Sequence, residues 1–215
     1  GEAMSPPLIR VEGQLKPALL PQGWMNSRTD AAPTGWQQPE FDDGAWFRGP
    51  ALRSIKSPWL GRLCLRGKFQ VTDPAKAKEL RLSVDFHGGI VVYINGRELT
   101  RRHLPSGPLG PDTLADPYPA EAFVDEAGLM LFPGNVRWHH PSGRDFWKNR
   151  TVSTEAARRM ALQRRSLQNL TIPASMLRRG VNVLAIELVR SEYDPSVEEA
   201  RKAFKAAHEQ YAYQV

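Results

Sequence analysis

A chain of 215 residues, 41% of them apolar and six of them tryptophan, is long enough for one large domain, or one domain carrying a sizeable insertion, and can bury a core. It has no run of about 18 apolar residues, which excludes a membrane-spanning helix, and its single cysteine, Cys64, excludes an internal disulfide framework. The net charge of +6 is local: residues 1–136 hold 15 charges of each sign and residues 166–215 hold six of each, whereas residues 137–165 set eight Lys and Arg against Asp145 and Glu155. A basic balance of this origin is a patch, not a generally basic surface.

The opening GEAMSPPLIR lacks the apolar stretch of a secretion signal, so none is expected there. The first pattern of interest is PEFDDGAW, residues 39–46, where Asp42 and Asp43 stand side by side between Phe41 and Trp46. Paired carboxylates are the equipment of glycoside hydrolysis. Adjacent residues of an extended chain point to opposite faces, however, so these two cannot flank one glycosidic bond. Asp side chains also cap nearby backbone N–H groups, which suits the following Gly44. The pair is expected to shape a turn.

Period-two alternation follows. In LCLRGKFQV, Leu63, Leu65, Phe69 and Val71 share one face, and Cys64, Arg66, Lys68 and Gln70 the other. In ELRLSVDFHG, Leu80, Leu82, Val84 and Phe86 alternate with Arg81, Ser83 and Asp85. Both predict half-buried strands, with TDPAK as the turn between them. GGIVVYINGREL sets Asn95-Gly96 behind a β-branched run. That dipeptide takes the positive φ values of a type I′ turn, so residues 90–94 and 97–100 read as a hairpin. Residues 101–136, rich in Pro and Gly, read as an irregular loop. Residues 152–165 read as a short helix capped by Ser153 or Thr154. NLTIPASMLRRGVNVLAIELV predicts a strand, one helical turn closed by Gly180, and a buried strand over residues 181–189. At the C-terminus Asp194 is an N-cap, Pro195 opens the first turn, and Val197, Ala200, Phe204, Ala207 and Tyr211 form one stripe, which predicts an amphipathic helix over residues 194–213. Short strands between Gly/Pro turns indicate an all-β antiparallel sandwich.

Three of these segments carry a resemblance: FDDGAW upstream of the arginine-bearing strand LCLRGKFQV, the hairpin VVYINGREL, and LRRGVNVLAIELVR. In this order they resemble the galactose-binding-domain-like jelly roll found as the N-terminal sugar-binding-type domain of glycoside hydrolase family 2 enzymes. The likeness covers about residues 20–100 and 166–190. It implies a single jelly-roll domain with a core over about residues 8–100 and 166–190, interrupted by a basic insertion at residues 101–165. It also implies that Phe41 and Trp46 bury while the acids organise the turn. The stretch between Thr100 and Asn169 is far longer than the family's connection, so the insertion and the C-terminal helix take no role from it.

For a carbohydrate ligand, exposed aromatic rings beside hydrogen-bonding groups are needed. The aromatics of turn-rich stretches are Trp24, Trp36, Trp59, Tyr118, Trp138 and Trp147, with Trp46 assigned to the core. Trp59 and Tyr118 lie in loops of the kind that carry ligands, although a loop aromatic serves equally as a plug over the sandwich end. RWHHPSGRDFWKNR adds Arg137, Trp138, His139, Arg144 and Trp147, a mixture of cations and rings suited to sugars or to phosphate, sulfate and carboxylate. The alternative for this segment is a solvated basic surface, or one that docks on a neighbouring domain.

No phosphate loop, zinc motif or nucleic-acid module is present, and His139-His140 lacks a third ligand. Cys64 sits mid-strand as a buried thiol. No cofactor is expected from the residues themselves. The resemblance adds a structural Ca²⁺, for which Asp42 or Asp43 would supply oxygen, but no spaced acidic loop completes such a site. Carboxylate catalysis would have to draw on Asp112, Asp116, Glu121, Asp125 and Glu126 in the insertion. The expected function is a non-catalytic, carbohydrate-binding-like accessory module of a larger polysaccharide-processing or surface protein. A structural domain docking through its basic insertion onto a partner domain or polyanion is the alternative. An extracellular or periplasmic address is implied by the resemblance alone.

Overall fold

The computed structural model describes residues 8–11, 14–17, 32–46, 48, 61–77, 80–124 and 154–192. The helix expected over residues 194–213 lies outside them. The described residues are mostly β, with few helices, and their sheets are antiparallel. Strands β1 (Leu8–Val11) and β2 (Gln14–Pro17) form a two-stranded ribbon. Strands β3 (Arg62–Val71), β4 (Arg81–Phe86), β5 (Gly89–Ile94), β6 (Arg97–Arg102), β7 (Arg165–Thr171) and β8 (Gly180–Val189) build the body. A four-stranded sheet runs β3-β8-β5-β6, and β4 pairs with β7 in a second, two-stranded sheet.

The two sheets enclose a core in a sandwich-like arrangement. Phe86 and Leu167 come from the small sheet, and Ile90, Val92, Ile186 and Leu188 from the large one. Ile90 and Val92 are fully buried, and each side chain of this kind contributes about 2 kcal/mol when taken from water. Strand β4 shows the alternation its sequence predicts, with Arg81, Ser83 and Asp85 exposed and Phe86 buried. Asp73 caps the turn that follows β3, its carboxylate accepting the Ala75 N–H at 3.0 Å. The Asn-Gly turn also forms as read: Asn95 has φ 51° and Gly96 φ 80°. The hairpin is longer than expected, since β6 runs on to Arg102.

The structure alters three of the other expectations. Strand β3 is only partly open to water on its polar side: the side chains of Arg62 and Arg66 are 5% and 2% exposed, while Lys68 and Gln70 at its far end stay exposed. A second apolar cluster covers that face of the large sheet, where Trp36, Val183 and Ala185 pack with Phe41, Trp46, Cys64 and Tyr93. This explains why β8 is a near-continuous apolar run, because it is covered on both faces. Trp36, grouped by sequence with the loop aromatics, is accordingly 3% exposed and part of the core. The helix of the insertion is shorter than residues 152–165. Helix α1 spans Thr154–Ala161, and the chain turns through Leu162–Arg164 so that Arg165 opens β7.

Candidate functional site

The segment holding Asp42 and Asp43 lies across the large sheet as a strap. Asp42 is exposed and its Oδ1 accepts the Gly44 N–H at 2.9 Å, while Asp43 is buried, so the two acids do face opposite ways. Asp43 takes Arg66 Nε at 3.0 Å, Lys68 Nζ at 3.2 Å and Arg48 Nη2 at 2.9 Å. Arg66 also donates to the carbonyls of Trp36 and Gln38. These cations, Arg66 foremost and against the effect of burial, hold the Asp43 carboxyl down at about 2. The aromatic rings complete the strap: Trp36 stacks on Trp46 at 5.9 Å between centroids and meets Tyr93 edge-on at 6.0 Å. Asp43 is committed to three cations of its own chain and Asp42 gives Oδ1 to the Gly44 N–H; the described residues contain no cluster of three metal-ligating side chains.

Two asparagines lock the adjoining end of the sheet. Asn182, fully buried, accepts from Asn95 Nδ2 at 2.8 Å and from the Arg178 N–H at 2.9 Å, and donates to the carbonyls of Arg178 and Gly180. Asn95 donates further to the Met176 carbonyl and accepts the Val183 N–H. The β5–β6 turn and residues 176–183 are thereby fixed against each other. Around them lies a polar rim. Gln38 sits over Gly96, Arg97 donates to the Ser175 carbonyl at 2.9 Å, and Arg178 bridges the Val181 carbonyl at 2.7 Å and Glu40 at 3.2 Å. Sequence reasoning missed this rim; the clue was that Asn95 and Asn182 lie in two of the three segments carrying the resemblance.

Further along the covered face, Arg62 pairs with Glu187 at 3.3 Å and donates to the Gly110 carbonyl at 2.6 Å. Burial raises the Glu187 carboxyl, opposed by Arg62. Burial, then the Glu187 charge, pushes the Cys64 thiol and the Tyr93 phenol each up to about 12. Neither is an activated nucleophile. On β6, Glu98 takes Arg101 through both oxygens, at 3.1 and 2.8 Å.

At the opposite end, the insertion is tied to the body. The Arg165 guanidinium lies 3.9 Å from the Tyr118 ring centroid and donates to the carbonyls of Gly88, Asp116 and Pro117. The Tyr118 hydroxyl accepts the Gly88 N–H at 2.7 Å, and its ring meets Phe123 edge-on. Of the two roles open to a loop aromatic, these are the contacts of a plug. Arg158 reaches Glu121 at 2.7 Å and Glu155 at 2.8 Å, and Arg159 reaches Glu155 and the Val124 carbonyl. Both arginines hold the Glu155 carboxyl down at about 2. Three of the cations that make the sequence basic thus serve the fold.

Trp59, Arg137, Trp138, His139, Arg144 and Trp147 lie outside the described residues, as do Asp125 and Glu126. Among the described residues no helix is long and apolar enough to cross a membrane. Comparison of the chain with protein-family models, curated proteins and solved structures found no match.

Proposed function

We propose that this chain is a non-catalytic accessory module of the galactose-binding-like jelly-roll type, with carbohydrate as its ligand class. One observation carries the reading. The three segments on which the resemblance rests, far apart in sequence, meet in space as one unit: the Asp43 strap packs on Tyr93, Val183 and Ala185, and Asn95 bonds Asn182. Their meeting place is an end of the sandwich, where hydrogen-bonded turns and the start of β6 offer amide, carboxylate and guanidinium groups in Gln38, Glu40, Arg97 and Arg178. Planar groups of this kind suit sugar hydroxyls, and scaffold-held loops are where ligands bind. The pairing of Asp43, Glu98, Glu121, Glu155 and Glu187 with arginines supports a holding role for these acids. Trp59, Trp138 and Trp147 belong to the proposal as further candidate ligand residues, as do Arg137, His139 and Arg144, sequence neighbours of Trp138 and Trp147.

The test is binding of the purified chain to a panel of neutral and acidic glycans at low and physiological salt. Saturable binding, weakened in Arg178→Ala or Trp59→Ala, is the expected result. No binding to any glycan would transfer the function to the second reading, a structural domain of a larger protein. That reading draws on the ties of Arg158, Arg159 and Arg165, which already dock the described part of the basic insertion onto its own domain.

A further inference from the structure

We infer that the glycan is anionic and that it is read at the turn end of the sandwich by Arg97, Arg178 and Arg179. This rests on the carbohydrate-binding reading and gives it a ligand chemistry and a place. At this end β3 and β5 finish and β6 and β8 begin, since Val71 pairs with Gly180 and Ile94 with Arg97. The described residues there include six exposed cations, Lys68, Lys76, Arg81, Arg97, Arg178 and Arg179. Against them stand Glu40, exposed Asp42, Asp73 paired with Lys76, Glu98 paired with Arg101, and Asp43, the last of which is buried and already shared between Arg66, Lys68 and Arg48. The result is a basic pole that the sequence count, which placed the surplus in residues 137–165, did not reveal.

Two arginines of this pole, Arg97 and Arg178, are held by the backbone, and Arg179 stands exposed next to Arg178 in the chain. Arg97 leans on the Ser175 carbonyl and Arg178 on the Val181 carbonyl, while Asn182 fixes the main chain of Arg178 on both its N–H and its carbonyl. A guanidinium has five N–H donors in one plane, so these bonds orient it and leave donors for a bidentate anion. Side chains held beforehand lose less entropy on binding. The counter-ion now present is weak: Glu40 is 74% exposed in its pair with Arg178, and exposed pairs of this type contribute about 0–1 kcal/mol. A carboxylate or sulfate ester on a sugar chain exchanges with it readily. Arg158 and Arg165 are more fully engaged within their own chain, the one by two carboxylates and the other by three carbonyls and the Tyr118 ring.

The experiment measures binding of the chain to polygalacturonate, dextran sulfate, neutral dextran and a single-stranded DNA oligonucleotide over a salt series. Arg97→Glu/Arg179→Glu tests the pole. Arg102→Glu, exposed at the far end of β6, is the control, and circular dichroism checks both folds. The inference expects polygalacturonate or dextran sulfate to bind, with the two distinguishing carboxylate from sulfate. It expects the pole variant to lose at least about tenfold in affinity, equal to about 1.4 kcal/mol, with a shallower salt slope, while the control matches the parent. Equal loss in the control, no loss in the pole variant, or DNA binding as tightly as the glycans would each overturn it. Binding of neutral dextran alone, unchanged in the pole variant, removes this inference and leaves the carbohydrate reading standing. Binding of none of the four removes both.

Discussion

Asp43 shows how much one carboxylate organises here. Its folded value of about 2 lies below the ordinary 3.8, so its contribution to stability is fully present above about pH 4 and is lost as pH falls through 2. Asp43→Asn leaves the buried Arg66 guanidinium without its counter-charge and is expected to cost about 3 kcal/mol. Urea unfolding at pH 7 and at pH 2.5 checks this, and the penalty should shrink at the lower pH. The Arg62–Glu187 pair behaves differently because it is buried on both sides. Arg62→Ala or Glu187→Ala alone is expected to destabilise by about 3 kcal/mol, whereas Arg62→Met/Glu187→Leu costs clearly less than the sum, a comparison read from a double-mutant cycle. Cys64, half-buried and with its thiol up at about 12, should react with a disulfide reagent at pH 8 far more slowly than an ordinary thiol. Burst labelling in the native protein would contradict that.

Among the elements, the β5–β6 hairpin and β8 were legible because local chemistry decides them: β-branched runs, an Asn-Gly pair, and a glycine at φ 93° opening the last strand. The strap was legible as a turn, with Asp42 capping Gly44 as read, but not in its place across the sheet. Its anchor joins Asp43 to Arg66 across 23 positions, and nothing local distinguishes an arginine facing a carboxylate from one facing water. The polar side of β3 therefore read as solvent-facing, and Trp36 as a loop ring. The turn before β5 shows a similar dependence on distant parts. Gly88 has φ 71°, and a Cβ there would stand 2.1 Å from the Val189 carbonyl oxygen. The same residue meets Tyr118 and Arg165. Gly88→Ala is expected to lose well over 1 kcal/mol, seen as a lowered thermal midpoint. Asn182→Leu strands the carbonyls of Arg178 and Gly180 and is expected to cost about 2 kcal/mol by the same measurement.

For the whole molecule, the overall charge and its distribution tell different stories. The segment that makes the sequence basic spends Arg158, Arg159 and Arg165 internally, while cations from balanced stretches gather at one end of the sandwich. The topology also has a temporal side. Strand β8 joins β3 to β5, yet it is the last of the body strands to leave the ribosome, and it pairs Arg62 with Val189 across most of the chain. Until residues 180–189 emerge, β3 has no neighbour in the large sheet among the described strands, and its apolar face waits uncovered. Pairings this remote in sequence close slowly. The molecule must therefore complete its large sheet late, and a nascent chain halted before Gly180 is the form most in need of a chaperone.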